Sequence, residues 1–124
     1  MKGEEHMRNL APDVFRKRLL MEGIYSIPVD REALARYMTG LAAHLDLTPY
    51  GESVIYSPAG RGKEENQGFD AFLPLIDSGI AAYVWTTARL FSIVLYTCKG
   101  FESAQAVGFT REFFAAEAME SMEF

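Results

Sequence analysis

Apolar and polar residues alternate along Arg18–Ile27 (RLLMEGIYSI), with Leu19, Met21 and Tyr25 on one side and Leu20, Glu22 and Ile24 on the other. Period two marks a half-buried strand. Pro28 closes it, and Asp30 follows as a helix N-cap with Glu32 in the first turn. Leu34, Tyr37, Met38, Leu41 and Leu45 then recur at helical spacing and predict an amphipathic helix ending near Asp46. Gly40 inside it costs about 1 kcal/mol against alanine. Thr48-Pro49-Tyr50-Gly51 is turn chemistry, and Ser53–Ser57 reads as a short second strand.

Pro58–Gly68 (PAGRGKEENQG) carries no apolar period and reads as a mobile surface loop. Two apolar runs follow, Ala71–Ile76 and Ile80–Trp85, separated by Asp77-Ser78-Gly79. Pro74 gives the first run an edge position or a bulge. Leu90–Cys98 (LFSIVLYTC) alternates most clearly, with Phe91, Ile93 and Leu95 on one face and Ser92, Tyr96 and Cys98 on the other. After Lys99-Gly100, the stripe Ala106, Phe109, Phe113 and Ala116 predicts a second helix. The order β-α-β-β-β-α implies an α+β fold, a two-layer sandwich of mainly antiparallel sheet with both helices on one face. The other sheet face then needs a ligand, a partner or solvent. A homodimer is expected on that ground.

At 124 residues the chain is one domain, divided here into an N-terminal extension 1–15, a core 18–114 and an acidic tail 115–124. Charge separates along it. Residues 1–62 hold eight Lys/Arg against eight Asp/Glu, and residues 63–124 hold four against nine, which supplies the whole net charge of −5. An acidic half repels phosphate backbones, so no nucleic-acid role is expected, and Arg16-Lys17-Arg18 is too short to reverse this. No apolar run approaches the length of a membrane span, and Met1–Leu10 has no signal-peptide core. Cytoplasmic residence and no membrane contact are the expectation.

Cys98 is the single cysteine, which excludes a disulfide framework or a multi-cysteine zinc site. Neither His6 nor His44 has a second ligand at i+3 or i+4, so no metal is expected. Gly60-Arg61-Gly62-Lys63 lacks the ending of a phosphate loop, and Glu64-Glu65 would repel phosphate. Asp77-Ser78-Gly79 taken alone is a turn, and Cys98 taken alone is a small apolar residue. No nucleophile-plus-base set assembles from the chain.

Residues 18–114 nevertheless resemble the small bacterial and archaeal S-adenosylmethionine decarboxylases. The strand RLLMEGIYS leads into the Asp30 helix, and a later apolar strand ends in the acid-Ser step Asp77-Ser78. Trp85 follows seven positions after the serine, and Thr97-Cys98 closes the next strand with the cysteine 20 positions on. The resemblance implies that Ser78 is the precursor of a pyruvoyl group, made when its hydroxyl attacks the Asp77 carbonyl and the ester undergoes β-elimination. Cleavage there would leave pieces of 77 and 47 residues. The pyruvoyl carbonyl would serve as electron sink for decarboxylation of S-adenosylmethionine or a related amino acid in polyamine biosynthesis, with Cys98 as proton donor. It also implies paired subunits with sites near their contact.

The departures from that pattern bear on activity. Gly79 follows the serine where the family has histidine, and Tyr83 takes the position of the processing histidine. A phenol with reference pKa near 10 is a poor base at neutral pH. Thr86-Thr87 replaces a Pro-Glu step, so Thr87 lacks the carboxylate expected on the ribose hydroxyls. Asp70 aligns with the assisting serine, and the adenine-stacking phenylalanine falls among Glu64 and Glu65. Trp85 is the aromatic platform left for a nucleoside. The expectation is therefore a family-like protein with a diverged site, Asp77 and Ser78 uncleaved, and no cofactor; an active pyruvoyl enzyme is the alternative.

Overall fold

In the computed structural model, residues 7–124 are described. Six strands and two α-helices follow in the order β1 (Lys17–Ile24), α1 (Arg31–His44), β2 (Val54–Tyr56), β3 (Gly68–Leu75), β4 (Ser78–Trp85), β5 (Leu90–Thr97), α2 (Ser103–Phe114) and β6 (Ala118–Glu123). The strands form one sheet in the order β2-β3-β4-β5-β1-β6, with every neighbouring pair antiparallel. Both helices cover one face, as the two-layer α+β reading requires; all four runs between the helices are strands, one more than the anticipated order counted, and β6 is added after α2.

Alternation decides what faces the helices. Leu19 and Met21 of β1, Ile80, Ala82 and Val84 of β4, and Phe91, Ile93 and Leu95 of β5 enter one core with Leu34, Tyr37, Met38 and Leu41 of α1. Asp30 caps α1 through its carboxylate, which accepts from the Ala33 N–H at 2.8 Å. Gly40 leaves room for the Phe109 ring, whose Cζ would lie 2.8 Å from an added Cβ. Helix propensity is given up there to let the two helices approach. The expected α2 stripe meets the core, Ala106 fully buried and Phe109 and Phe113 packed on it against Tyr37, and Thr110 and Phe114 are buried beside it. The α2 helix stops at Phe114, so Ala116 lies beyond it.

Three local readings need adjustment. The 115–124 segment is no free tail, because Ala118–Glu123 pairs with β1 and Met119 packs on the core. Its glutamates sit on an edge strand, where charge discourages further pairing. The Pro58–Gly68 loop is tied internally rather than loose. Gln67 accepts from the Gly60 N–H and donates to the carbonyls of Arg61 and Lys63, and Glu64–Asn66 form a 3₁₀ turn. Gly68 then opens β3 at φ 156°, with an added Cβ only 1.7 Å from the Val84 carbonyl oxygen. Pro74 lies beyond the β2 pairing, beside the Pro49–Leu75 bridge, where its carbonyl accepts from the Tyr50 N–H at 3.1 Å and its nitrogen returns no bond.

Candidate functional site

The β4–β5 hairpin closes through the turn at residues 86–89, and its register pairs Ser78 with Thr97, Tyr83 with Ser92 and Trp85 with Leu90. Cys98 therefore arrives beside the Asp77-Ser78 step. Its backbone N–H donates to the Asp77 carbonyl at 2.8 Å. Asp77 adopts a left-handed conformation, φ 62°, at the β3–β4 turn, which a short polar side chain tolerates. Phe72, Tyr96 and Val94 complete an apolar cleft of about 300 Å³ around Ser78 and Cys98. The Cys98 side chain is exposed.

Ser78 is oriented differently from its neighbours. Its parity along β4 matches Ile80 and Ala82, and its Oγ is shut off from solvent without a hydrogen-bond partner. Thr97, directly opposite, offers nothing, because its own hydroxyl is engaged with the backbone of Lys99. One hydroxyl is thus held dry, unpaired and adjacent to a carbonyl whose oxygen is already polarised by an N–H donor. That arrangement suits the first half of a serine-dependent chain rearrangement, attack on the Asp77 carbonyl.

The second half requires a base, and the remaining candidates lie elsewhere. Tyr83 is five residues from Ser78 along β4, about 17 Å at the usual strand rise, and Trp85 about 23 Å. Tyr83 projects from the sheet face opposite the helices, 41% exposed, directly across from Asp70 on β3. Asp70 and Trp85 line a second cleft, about 580 Å³, together with Tyr56, Arg61 and Lys63 of the tied loop. Thr87 is exposed in the β4–β5 turn at that same end. Within one chain the candidates form two groups: Asp77, Ser78 and Cys98 at one end of the hairpin, and Asp70, Tyr83, Trp85 and Thr87 toward the other.

His44 stacks on Phe109 in the helix layer, centroids 5.2 Å apart, and so stands on the far side of the sheet. His6 lies outside the described residues. Among the described residues no imidazole reaches the open sheet face, and no cluster could hold a metal ion. Within one chain, Ser78 is thus placed for acyl transfer from Asp77, and among the described residues no imidazole stands near it to serve as the base of an elimination.

The open face has a regular make-up. One cross-strand row runs Val54, Phe72, Ala81, Val94, Leu20 and Met122, entirely apolar, and Phe72, Val54 and Met122 are exposed. The adjacent row runs Tyr56, Asp70, Tyr83, Ser92, Glu22 and Glu120, with Ser92 Oγ donating to Glu22 at 2.8 Å. Sequence reasoning did not include Phe72, Tyr96, Arg61 or Lys63 in the site. Strand parity would have found the first two; the last two depend on Gln67 folding the loop inward.

A family model described as S-adenosylmethionine decarboxylase matches residues 24–124. A crystal structure of the adenosylmethionine decarboxylase from Aquifex aeolicus VF5 superposes with a TM-score of 0.70 at 18% identity, covering 90% of this chain and 89% of that one. No curated protein sequence matches. The structural likeness supports the fold; the family match spans all the candidate residues from Asp70 to Cys98.

Proposed function

Because the chain belongs to the S-adenosylmethionine decarboxylase family, we propose that it is an unprocessed, diverged member that binds a small ligand as a homodimer without forming a pyruvoyl group. The observation that carries this reading is the Asp70–Tyr83 pair, a carboxylate and a phenol on the open face where the family uses a serine and an imidazole. Neither Gly79 nor Thr87 makes up the loss. Electrospray mass spectrometry of freshly purified protein tests it: one species at the full-chain mass is expected, and fragments of 77 and 47 residues would overturn it.

The homodimer follows from two features. Strand residues of a six-stranded sheet occupy about 16 Å² each in plan, so this face covers roughly 650 Å², close to the roughly 800 Å² that each partner contributes to a standard interface. The two groups of candidate residues also sit at opposite ends of one hairpin, and a two-fold packing of open faces is what can lay the Ser78 end of one copy over the Tyr83 end of the other. The ligand would be S-adenosylmethionine-like or an amino acid, with Trp85 as its aromatic platform, in the cytoplasm. Thermal shifts with S-adenosylmethionine, its decarboxylated analogue, ornithine and arginine test this, and no shift at millimolar ligand counts against it.

A second reading, an active pyruvoyl-dependent decarboxylase, is favoured by the orphaned Ser78 hydroxyl beside the Cys98-bound carbonyl. In that case Ser78 is the cofactor precursor and Cys98 the proton donor. The same mass measurement separates the two.

A further inference from the structure

The segment leading into β1 carries apolar side chains that its own chain leaves uncovered. Met7 is 75% exposed, Leu10 78% and Phe15 53%, and Phe124 at the end of the neighbouring β6 is 52% exposed. This arm nevertheless has a defined shape. The Asn9 side chain accepts from both the Ala11 N–H and the Arg16 guanidinium, and the Val14 N–H donates to the Ala11 carbonyl. Its nearby cations are occupied as well: Arg18 donates to the Phe124 carbonyl at 2.7 Å, and Lys17 to the Phe101 carbonyl at 2.6 Å. The arm thus exposes Leu10, Val14 and Phe15 alongside the charged Arg8 and Asp13.

Between the arm and β1 and β6 lies a concavity of about 760 Å³, lined by Leu10, Val14 and Phe15 with Arg8 and Arg16 of the arm, and by Arg18 and Phe124. Arg18 shares its parity with Leu20, and Phe124 with Met122, so this concavity opens along the same open sheet face. Exposed large apolar side chains therefore stand both on the arm, at Leu10, Val14 and Phe15, and on the sheet face, at Val54, Phe72 and Met122, and such groupings mark interaction surfaces. We propose that residues 7–16 form a clasp for a second copy of this chain, burying Leu10, Val14 and Phe15 against the partner's open sheet face. The proposal rests on the homodimer reading and extends it. Two-fold symmetry makes the contact count twice, since each arm reaches the other subunit. The sheet face alone is slightly smaller than a standard interface, and the arm enlarges it with large side chains of the kind that dominate binding energy.

The test is sedimentation equilibrium on the full chain, comparing wild type with Leu10→Asp/Phe15→Asp and with Thr39→Asp, an exposed control on α1. Both arm positions are exposed, so the fold should survive, and circular dichroism checks this. The clasp predicts a wild-type dimer, at least about tenfold weaker association in the arm variant, and an unaffected control. A photo-crosslinking residue at position 10 should yield inter-subunit products on peptides containing Val54, Phe72 or Tyr96. A wild-type dimer whose affinity the arm variant leaves unchanged, or crosslinks confined to the helix layer, would overturn the clasp while leaving the homodimer standing. A strict wild-type monomer would remove both.

Discussion

Replacing Ser78 with alanine should stabilise this protein. The Ser78 Oγ has no solvent contact and no partner, while Thr97 across the strand pair is satisfied by Lys99. A buried polar atom left unpaired costs about 1–3 kcal/mol, and deleting one oxygen opens a void too small to cancel the gain. A net increase of about 1 kcal/mol is expected, which for a domain of this length corresponds to a rise of roughly 3–5 °C in Tm. Calorimetry at matched protein concentration measures it, since a dimer's Tm depends on concentration. The substitution also removes the only hydroxyl able to attack the Asp77 carbonyl, so its chain must be intact. An unchanged or lower Tm would refute the reasoning, because it would mean that the hydroxyl is satisfied in solution. A higher Tm would identify Ser78 as a residue that costs stability where it sits.

The Tyr37 hydroxyl and Thr110 Oγ1 share a 2.7 Å hydrogen bond in the core. Tyr37→Phe should therefore lose about 1–3 kcal/mol by urea denaturation, and Tyr37→Phe/Thr110→Val should lose less than the single losses added. Burial raises the Tyr37 pKa well above its ordinary value, and its bond to Thr110 offsets that only in part. The native state thus favours the neutral phenol, so this contribution is full below pH ~10 and is lost as pH rises beyond it; denaturation midpoints against pH, read with phenolate absorbance, check the sign. Gly68→Ala should destabilise by more than about 2 kcal/mol, because φ 156° and the Val84 carbonyl leave no room for a Cβ. Tyr83→His alone should leave the chain uncleaved after prolonged incubation, as judged by intact mass.

How much was legible depended on whether a feature was local. The β1, α1, β4 and β5 elements each carry an unbroken period, and burial followed it, as Met21, Tyr37, Ile80 and Ile93 show. The β6 strand was concealed because an edge strand needs few apolar residues, and Glu117, Glu120 and Glu123 outweigh Met119 and Met122 in any composition argument. The α2 stripe was drawn too narrow: it took in Ala106, Phe109 and Phe113 but not Thr110 and Phe114, which are buried because the helix packs on both α1 and the sheet. At the site, the meeting of Ser78 and Cys98 was readable from spacing, since two eight-residue strands around a four-residue turn place residue 97 opposite 78. The separation of Ser78 from Tyr83 was equally implicit in the strand rise. The loop at Gln67 was not readable, because three hydrogen bonds from one side chain leave no periodic trace.

On the proposed reading, the departures at positions 70 and 83 are physically one change. The two residues face each other across β3 and β4, so each sets the electrostatic surroundings of the other. A carboxylate beside an imidazole favours the imidazolium and raises its pKa. Histidine introduced at position 83 opposite Asp70 would spend more of its time protonated at neutral pH, and a protonated imidazole cannot take the proton that β-elimination releases. The third departure is locked in by packing: a Cβ at position 79 would stand 2.9 Å from the Phe72 ring, so a larger residue after Ser78 has to displace that ring. Restoring the missing base therefore requires Asp70→Ser with Tyr83→His, and room at Phe72 for a side chain at position 79. If the wild-type chain proves intact, the triple replacement should cleave measurably faster than Tyr83→His alone where the obstacle is the missing base, and should remain intact where the orientation of Ser78 toward the core is what prevents cleavage.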